Sequence, residues 1–141
     1  MDGGIGGYHA AQEPGLRAVC EGLARALSDG LPGAEARVWH GGPVWFLAGN
    51  PIAGYWVRKG GVALLFWSGQ SFDLAGQSGA VATGAGLTPE GKFKAAGVRY
   101  RDLAEVDVVA LRGWLALARV IQWDYKNIVT RRGRLEKLGA W

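Results

Sequence analysis

At 141 residues the chain has the length of one ordinary domain, and 49% hydrophobic against 20% charged residues is too apolar a balance for a disordered segment. The net charge of +4 sits at one end: residues 1–125 hold 11 Lys+Arg and 11 Asp+Glu, whereas 126–141 hold Lys126, Arg131, Arg132, Arg134 and Lys137 against Glu136 alone. A high isoelectric point here describes a basic tail on a neutral body, which argues against a dedicated nucleic-acid-binding domain.

The single cysteine, Cys20, permits no intrachain disulfide and suits a reducing cytoplasm, the expected location. Met1-Asp2-Gly3-Gly4-Ile5-Gly6-Gly7 lacks the basic and apolar regions of a signal peptide, and the apolar runs are broken well short of a membrane span. No attachment to a membrane is expected.

In chain order, residues 1–12 are Gly- and Ala-rich without period and read as a flexible N-terminal arm. A helix begins near Glu13-Pro14, with Leu16, Val19, Cys20, Leu23 and Leu27 at three- and four-residue spacings, and ends at Asp29-Gly30 and Pro32-Gly33. Glu13, Arg17, Glu21, Arg25 and Asp29 form a ladder of alternating sign on its solvated face. Four short strands follow over 36–40, 44–48, 52–58 and 62–67, rich in Val, Trp, Tyr and Phe and separated by Gly/Asn/Pro or Lys-Gly-Gly turns. The pattern is an antiparallel meander. Residues 68–91 read mostly as loop, a fifth strand falls around 93–100, and a final helix spans 107–126. Its polar residues Arg112, Arg119, Gln122 and Lys126 lie within about 80° of one another at ~100° per residue, so nearly the whole circumference is apolar.

The organisation expected is the arm over 1–12, one α+β domain over 13–126 and a basic tail over 127–141 that is dispensable for folding. The tail contains Ile128, Val129, Leu135, Leu138 and Trp141 without helical period.

Few residues carry chemistry. Gly86-Leu87-Thr88-Pro89-Glu90-Gly91-Lys92-Phe93 approaches a phosphate-binding loop, but Phe93 stands where a hydroxyl must ligate magnesium, Pro89 has no amide to offer and Glu90 repels an anion. His9 and His40 belong to no cluster with metal-ligand spacing. Cys20 lies on the apolar face of the first helix and reads as a buried thiol, and Ser68 and Ser71 have no evident base. No catalytic residue, metal ligand or cofactor is assigned. His40, at a strand end beside Gly41-Gly42-Pro43, is the one residue placed like a site residue.

That stretch, His40-Gly41-Gly42-Pro43-Val44-Trp45-Phe46, resembles the YdhG-like bacterial family of unknown function. So do Leu31-Pro32-Gly33-Ala34-Glu35 before it and Gly49-Asn50-Pro51, Lys59-Gly60-Gly61-Val62-Ala63-Leu64 and Gly91-Lys92-Phe93-Lys94 after it, in the same order and spacing. The resemblance covers roughly residues 15–122. It implies an α+β fold with an N-terminal helix, a curved antiparallel sheet of about five strands and a long C-terminal helix packed on the sheet. Some relatives are described as frataxin-like iron chaperones. Such a role calls for an acidic helical ridge, and here Arg17 and Arg25 interrupt Glu13, Glu21 and Asp29.

The strand register carries the sharper expectation. Two-residue turns at Gly49-Asn50 and Lys59-Gly60 would put Trp45, Leu47, Ile52, Gly54, Trp56, Ala63, Leu65 and Trp67 on one face and Val44, Phe46, Ala53, Tyr55, Val57, Val62, Leu64 and Phe66 on the other. Three tryptophans would then share a face with the small Gly54 and Ala63. That face is either core beneath the helices, a homodimer interface, or a concave site lined by Trp45, Trp56 and Trp67 with His40 and Arg58 at its rim. The function expected is a non-catalytic binding module for a small apolar ligand or a protein partner. Its rivals are an iron chaperone and weak nucleic-acid binding through the basic tail, the latter disfavoured.

Overall fold

The computed structural model describes residues 4–72 and 86–139. Helices α1 (Ile5–Ala10), α2 (Pro14–Gly30) and α3 (Val108–Ala118) are joined by strands β1 (Glu35–Trp39), β2 (Gly42–Leu47), β3 (Asn50–Arg58), β4 (Gly61–Phe66), β5 (Thr88–Pro89) and β6 (Ala96–Tyr100). The strands form one antiparallel sheet in the order β1-β2-β3-β4-β6-β5. Two short strands, β7 (Gln122–Trp123) and β8 (Lys137–Leu138), pair separately. The α+β class is as expected, but among the described residues the sheet has six strands rather than about five. The extra strand is β5, part of the stretch read as loop and as a failed phosphate loop. Its Pro89 faces Ala96 at the sheet edge, where a missing N–H costs no ladder bond. Residues 73–85 of the expected loop lie outside the described residues.

The main core lies between the helices and one sheet face. Helix α2 contributes Val19, Cys20, Leu23, Ala24 and Leu27, all fully buried at the spacing read from sequence. It starts with Pro14 in its first turn and ends at Gly30, where a Cβ would lie 2.7 Å from Leu115 Cδ1, so glycine allows α3 to close on α2. Cys20 is enclosed, and burial pushes its thiol up to about 11, which keeps it protonated and unreactive at neutral pH. The charge ladder is modified at Arg17, whose guanidinium donates to the Ala10 and Gln12 carbonyls at 3.1 Å.

Those carbonyls end α1, which occupies the expected arm. Ile5 and His9 are buried, His9 Nε2 lies 2.6 Å from the Tyr55 hydroxyl, and the Tyr8 hydroxyl accepts the Val57 N–H at 2.8 Å. Residues 4–12 carry no amphipathic period because so short a helix is held by β3, 46–49 residues away, rather than by its own propensity.

The C-terminal region departs furthest from expectation. Asp107 caps α3 by accepting the Ala110 N–H at 3.0 Å, but the helix stops at Ala118 rather than near Lys126. Beyond it the chain turns to meet two serines: Ser68 Oγ accepts the Trp123 N–H at 3.1 Å and Ser71 Oγ accepts the Trp123 indole N–H at 2.9 Å. These tertiary bonds outweigh the continuous apolar pattern that predicts more helix. The basic segment also packs. Asp124 is buried, held by Asn127 Nδ2 at 2.9 and 3.2 Å and by an ion pair with Arg131, which also reaches Glu136 at 3.5 Å. β8 then closes against β7.

Candidate functional site

Two of the turns between strands are tight. His40-Gly41 joins β1 to β2 with φ of 52° and 85°, and Ala48-Gly49 joins β2 to β3 with φ of 51° and 80°. Positive φ at both central residues is the hairpin geometry that matches strand twist. The second turn lies one residue earlier than expected because Asn50 is taken by the fold. Its side-chain amide donates to the Trp123 carbonyl at 3.0 Å and accepts the Lys126 N–H at 3.1 Å.

A β-bulge follows. Trp45 faces Ala53 while Phe46 faces Pro51, leaving Ile52 without a partner in the register. Pro51 has no N–H for a regular ladder, and a bulge accommodates it. The extra residue inverts the facing of the rest of β2 relative to β3. Trp45 is therefore on the helix-covered face, fully buried, 5.8 Å from the Tyr55 ring and donating its indole N–H to Ser28 Oγ at 3.3 Å. Val44 and Phe46 move to the other face with Trp56. Trp45 is not part of the outer aromatic surface, contrary to expectation. The β3–β4 register is as read from sequence, with Trp56 opposite Ala63.

The outer face carries Trp39, Phe46, Trp56, Leu65 and Trp67 around Val44. Trp67 lies 5.8 Å from Trp56 and 6.1 Å from Trp39, and Trp39 meets Phe46 edge-on at 5.4 Å. Trp39, absent from the expected set, is found by continuing the β1–β2 pairing, since it faces Gly42. Two glycines seat the central ring. A Cβ on Gly42 would lie 2.5 Å from the Trp56 indole, and one on Gly54 would lie 3.2 Å from its far edge. The Trp56 indole N–H donates to the His40 carbonyl at 3.0 Å.

Beside this cluster the sheet holds an open cleft of about 560 Å3. It brings together His40, Trp56, Arg58 and Trp67, four of the five residues singled out from the sequence, and adds Thr88, Glu90 and Arg99. The register explains its shape. Trp56, Ala63 and Arg99 form one cross-strand row, and Gly54, Leu65, Gly97 and Thr88 form the next. Small residues at Ala63 and Gly97 leave a hollow between the tryptophans and the β5–β6 edge. Gly97 cannot be larger, because a Cβ would lie 2.5 Å from the Leu64 carbonyl oxygen. Arg99 is legible only once β6 is placed in register, and alternation along 93–100 is too weak to do that from sequence.

His40 is exposed and packs its ring against Trp39, with centroids 4.1 Å apart. The Arg58 guanidinium stands 5.8 Å from the Trp56 ring centre, within reach of a cation–π contact. The cleft therefore has an aromatic wall, a small-residue floor and cationic groups at its mouth. Beyond the arginines, its ionisable groups are His40 and Glu90. A second, more apolar groove of about 780 Å3 runs between α2 and α3, past Leu103, Val106, Val108 and Leu111.

Among the described residues, no group of three or more His, Cys, Asp or Glu could hold a metal ion, and no helix is long and apolar enough to cross a membrane. No family model and no curated protein matches the chain. Its structure is similar to the crystal structure of a DUF1801-family protein, YdhG of Bacillus subtilis, with a TM-score of 0.57 over 91% of this chain and 90% of that one. The chain has the YdhG-like fold. Sequence identity between the two is 16%, so the likeness concerns architecture.

Proposed function

We propose that this protein is a binding module whose sheet face opposite helices α1–α3 receives a small, flat, largely apolar molecule. The observation that carries this reading is the pairing of half-buried Trp67 with Trp56 along a cleft floored by Ala63 and Gly97. Ring faces beside a small-residue floor offer stacking surface without a side chain to displace, and large aromatics supply most of the contact energy in such sites. The polar groups at the mouth suit orientation of a ligand rather than bond chemistry, since the cleft residues include no activated nucleophile with an adjacent base.

Nucleic-acid binding through the basic tail has less support, because Arg131 is engaged by Asp124 and Glu136 and Lys126 donates to the Ala48 carbonyl at 3.3 Å. An iron-chaperone role has no ligand cluster behind it among the described residues.

The test is an amide and indole NMR titration with 2-naphthylmethanol, a neutral fused ring. Shifts concentrated at the Trp56 and Trp67 indoles and the amides of Ala63 and Gly97, lost in Ala63→Leu, are expected. Shifts confined to the α2–α3 groove, or none at millimolar probe, would sink the reading.

A further inference from the structure

The cleft is electrically polarised along the strands, and this narrows what it takes. Successive residues on one face are about 6.8 Å apart along a strand, so the cross-strand rows form a ruler. Arg58 stands at one end, opposite Gly61. Arg99 occupies the next row with Ala63 and Trp56. Gly61 lies between the two arginines: a Cβ there would sit 3.3 Å from Arg99 Cγ, so the Arg99 stem lies along Gly61 on the side of the sheet where Arg58 emerges. Both guanidinium groups are on exposed residues and both line the cleft.

Among the described residues, neither has a carboxylate partner, the ion pairs being at Arg37, Arg101 and Arg131. The acid of the cleft, Glu90, is at the far end. Thr88 faces Gly97 and Pro89 faces Ala96, and the Glu90 N–H bonds the Ala95 carbonyl at 2.9 Å, which puts Glu90 two rows beyond Arg99, roughly 14 Å along the sheet. With its backbone set that far along the sheet, beyond the screening length of physiological salt, Glu90 forms no ion pair with either arginine. Two guanidinium groups without an ion pair among the described residues, with the His40 ring at the same mouth, form a fork suited to a carboxylate or phosphate, and the aromatic wall begins in the very next row.

We infer that the occupant is a planar ring bearing one anionic substituent, carboxylate or phosphate, with the ring against Trp56 and Trp67 and the anion between Arg58 and Arg99. This rests on the binding-module reading and adds the chemical class of the ligand. A neutral ring would use the wall and leave the arginines solvated. An anion without a ring would gain only solvent-screened surface contacts, each worth little alone.

Three probes of similar shape separate the possibilities: 2-naphthoate, 2-naphthyl phosphate and the neutral 2-naphthylmethanol, titrated by NMR at low salt. At least one anion is expected to bind about tenfold more tightly than the alcohol, the scale of one well-formed charge-assisted contact. Whichever anion binds more tightly identifies the substituent. The advantage should shrink as salt is raised and fall below about twofold in the Arg58→Ala/Arg99→Ala double variant. Arg99→Lys should retain an intermediate share, because a point charge replaces a planar fork. Equal affinity for all three probes, or an anion advantage that survives the double variant, would overturn the inference while leaving the cleft as a ring-binding site. Failure of all three to bind overturns both readings.

Discussion

The two faces of the central sheet are built from similar residues and are packed differently. On the helix-covered face, Trp45, Tyr55, Leu64 and Phe66 are enclosed to within 1% exposure, and the polar ends of the first two are satisfied by Ser28 and His9. On the outer face, Trp56 is 8% exposed, while Trp39, Leu65 and Trp67 are only half-buried, beside the small residues Gly54, Ala63 and Gly97. Aromatic content does not separate a core from a site here. What separates them is whether a second layer of structure lies on the rings, and whether the residues between them are large enough to fill the space.

The largest test of that contrast is a pair of truncations. Trp45→Ala should cost about 3–5 kcal/mol, because the cavity it leaves is walled by helices and sheet. Trp56→Ala should cost less, about 2–3 kcal/mol, since its cluster is thin and the void opens toward solvent. Denaturant melts of the two variants check the order. If Trp56→Ala proves the costlier, the outer face is a second core and the contrast fails.

A smaller effect is expected where the outer face is tied to the C-terminal segment. The Tyr125 hydroxyl donates to the Trp67 carbonyl at 2.7 Å and accepts the Lys94 N–H at 2.9 Å, joining the end of the tryptophan wall to the β5–β6 connection. Tyr125→Phe removes both bonds and should lower stability by about 1–2 kcal/mol. It should also weaken 2-naphthylmethanol binding while leaving the Tyr55 region unshifted in NMR spectra. An unchanged affinity would show that Trp67 holds its position without this tie.

The smallest effect concerns pH. Burial lowers the pKa of His9 below the ordinary histidine value, so the folded state favours the neutral ring beside Tyr55. The stabilisation is fully present above the unfolded value of about 6.5 and is lost as pH falls through the lower folded value. Melting temperature should therefore decline from pH 7 to pH 5, and His9→Phe should flatten that slope. A slope that persists in His9→Phe would place its origin elsewhere.

Local patterns determined much of this protein. The apolar spacing from Leu16 to Leu27, the glycine-rich turns and the β3–β4 pairing around Lys59-Gly60 are decided by residues within a few positions of one another, so helix α2, the β1–β4 meander and the shared cleft of His40, Trp56, Arg58 and Trp67 were legible. Tertiary structure decided the rest. Asn50 is held by backbone groups of residues 123 and 126, Pro51 imposes the bulge, and together they turn Trp45 into the core. Ser68 and Ser71 stop the last helix by capturing Trp123, and Tyr55 gives α1 a place to dock. The Asn50, Ser68, Ser71 and Tyr55 contacts each depend on a bond between residues 46 to 76 positions apart. Such a bond is worth about 1 kcal/mol, enough to override a local preference of similar size yet absent from any local pattern.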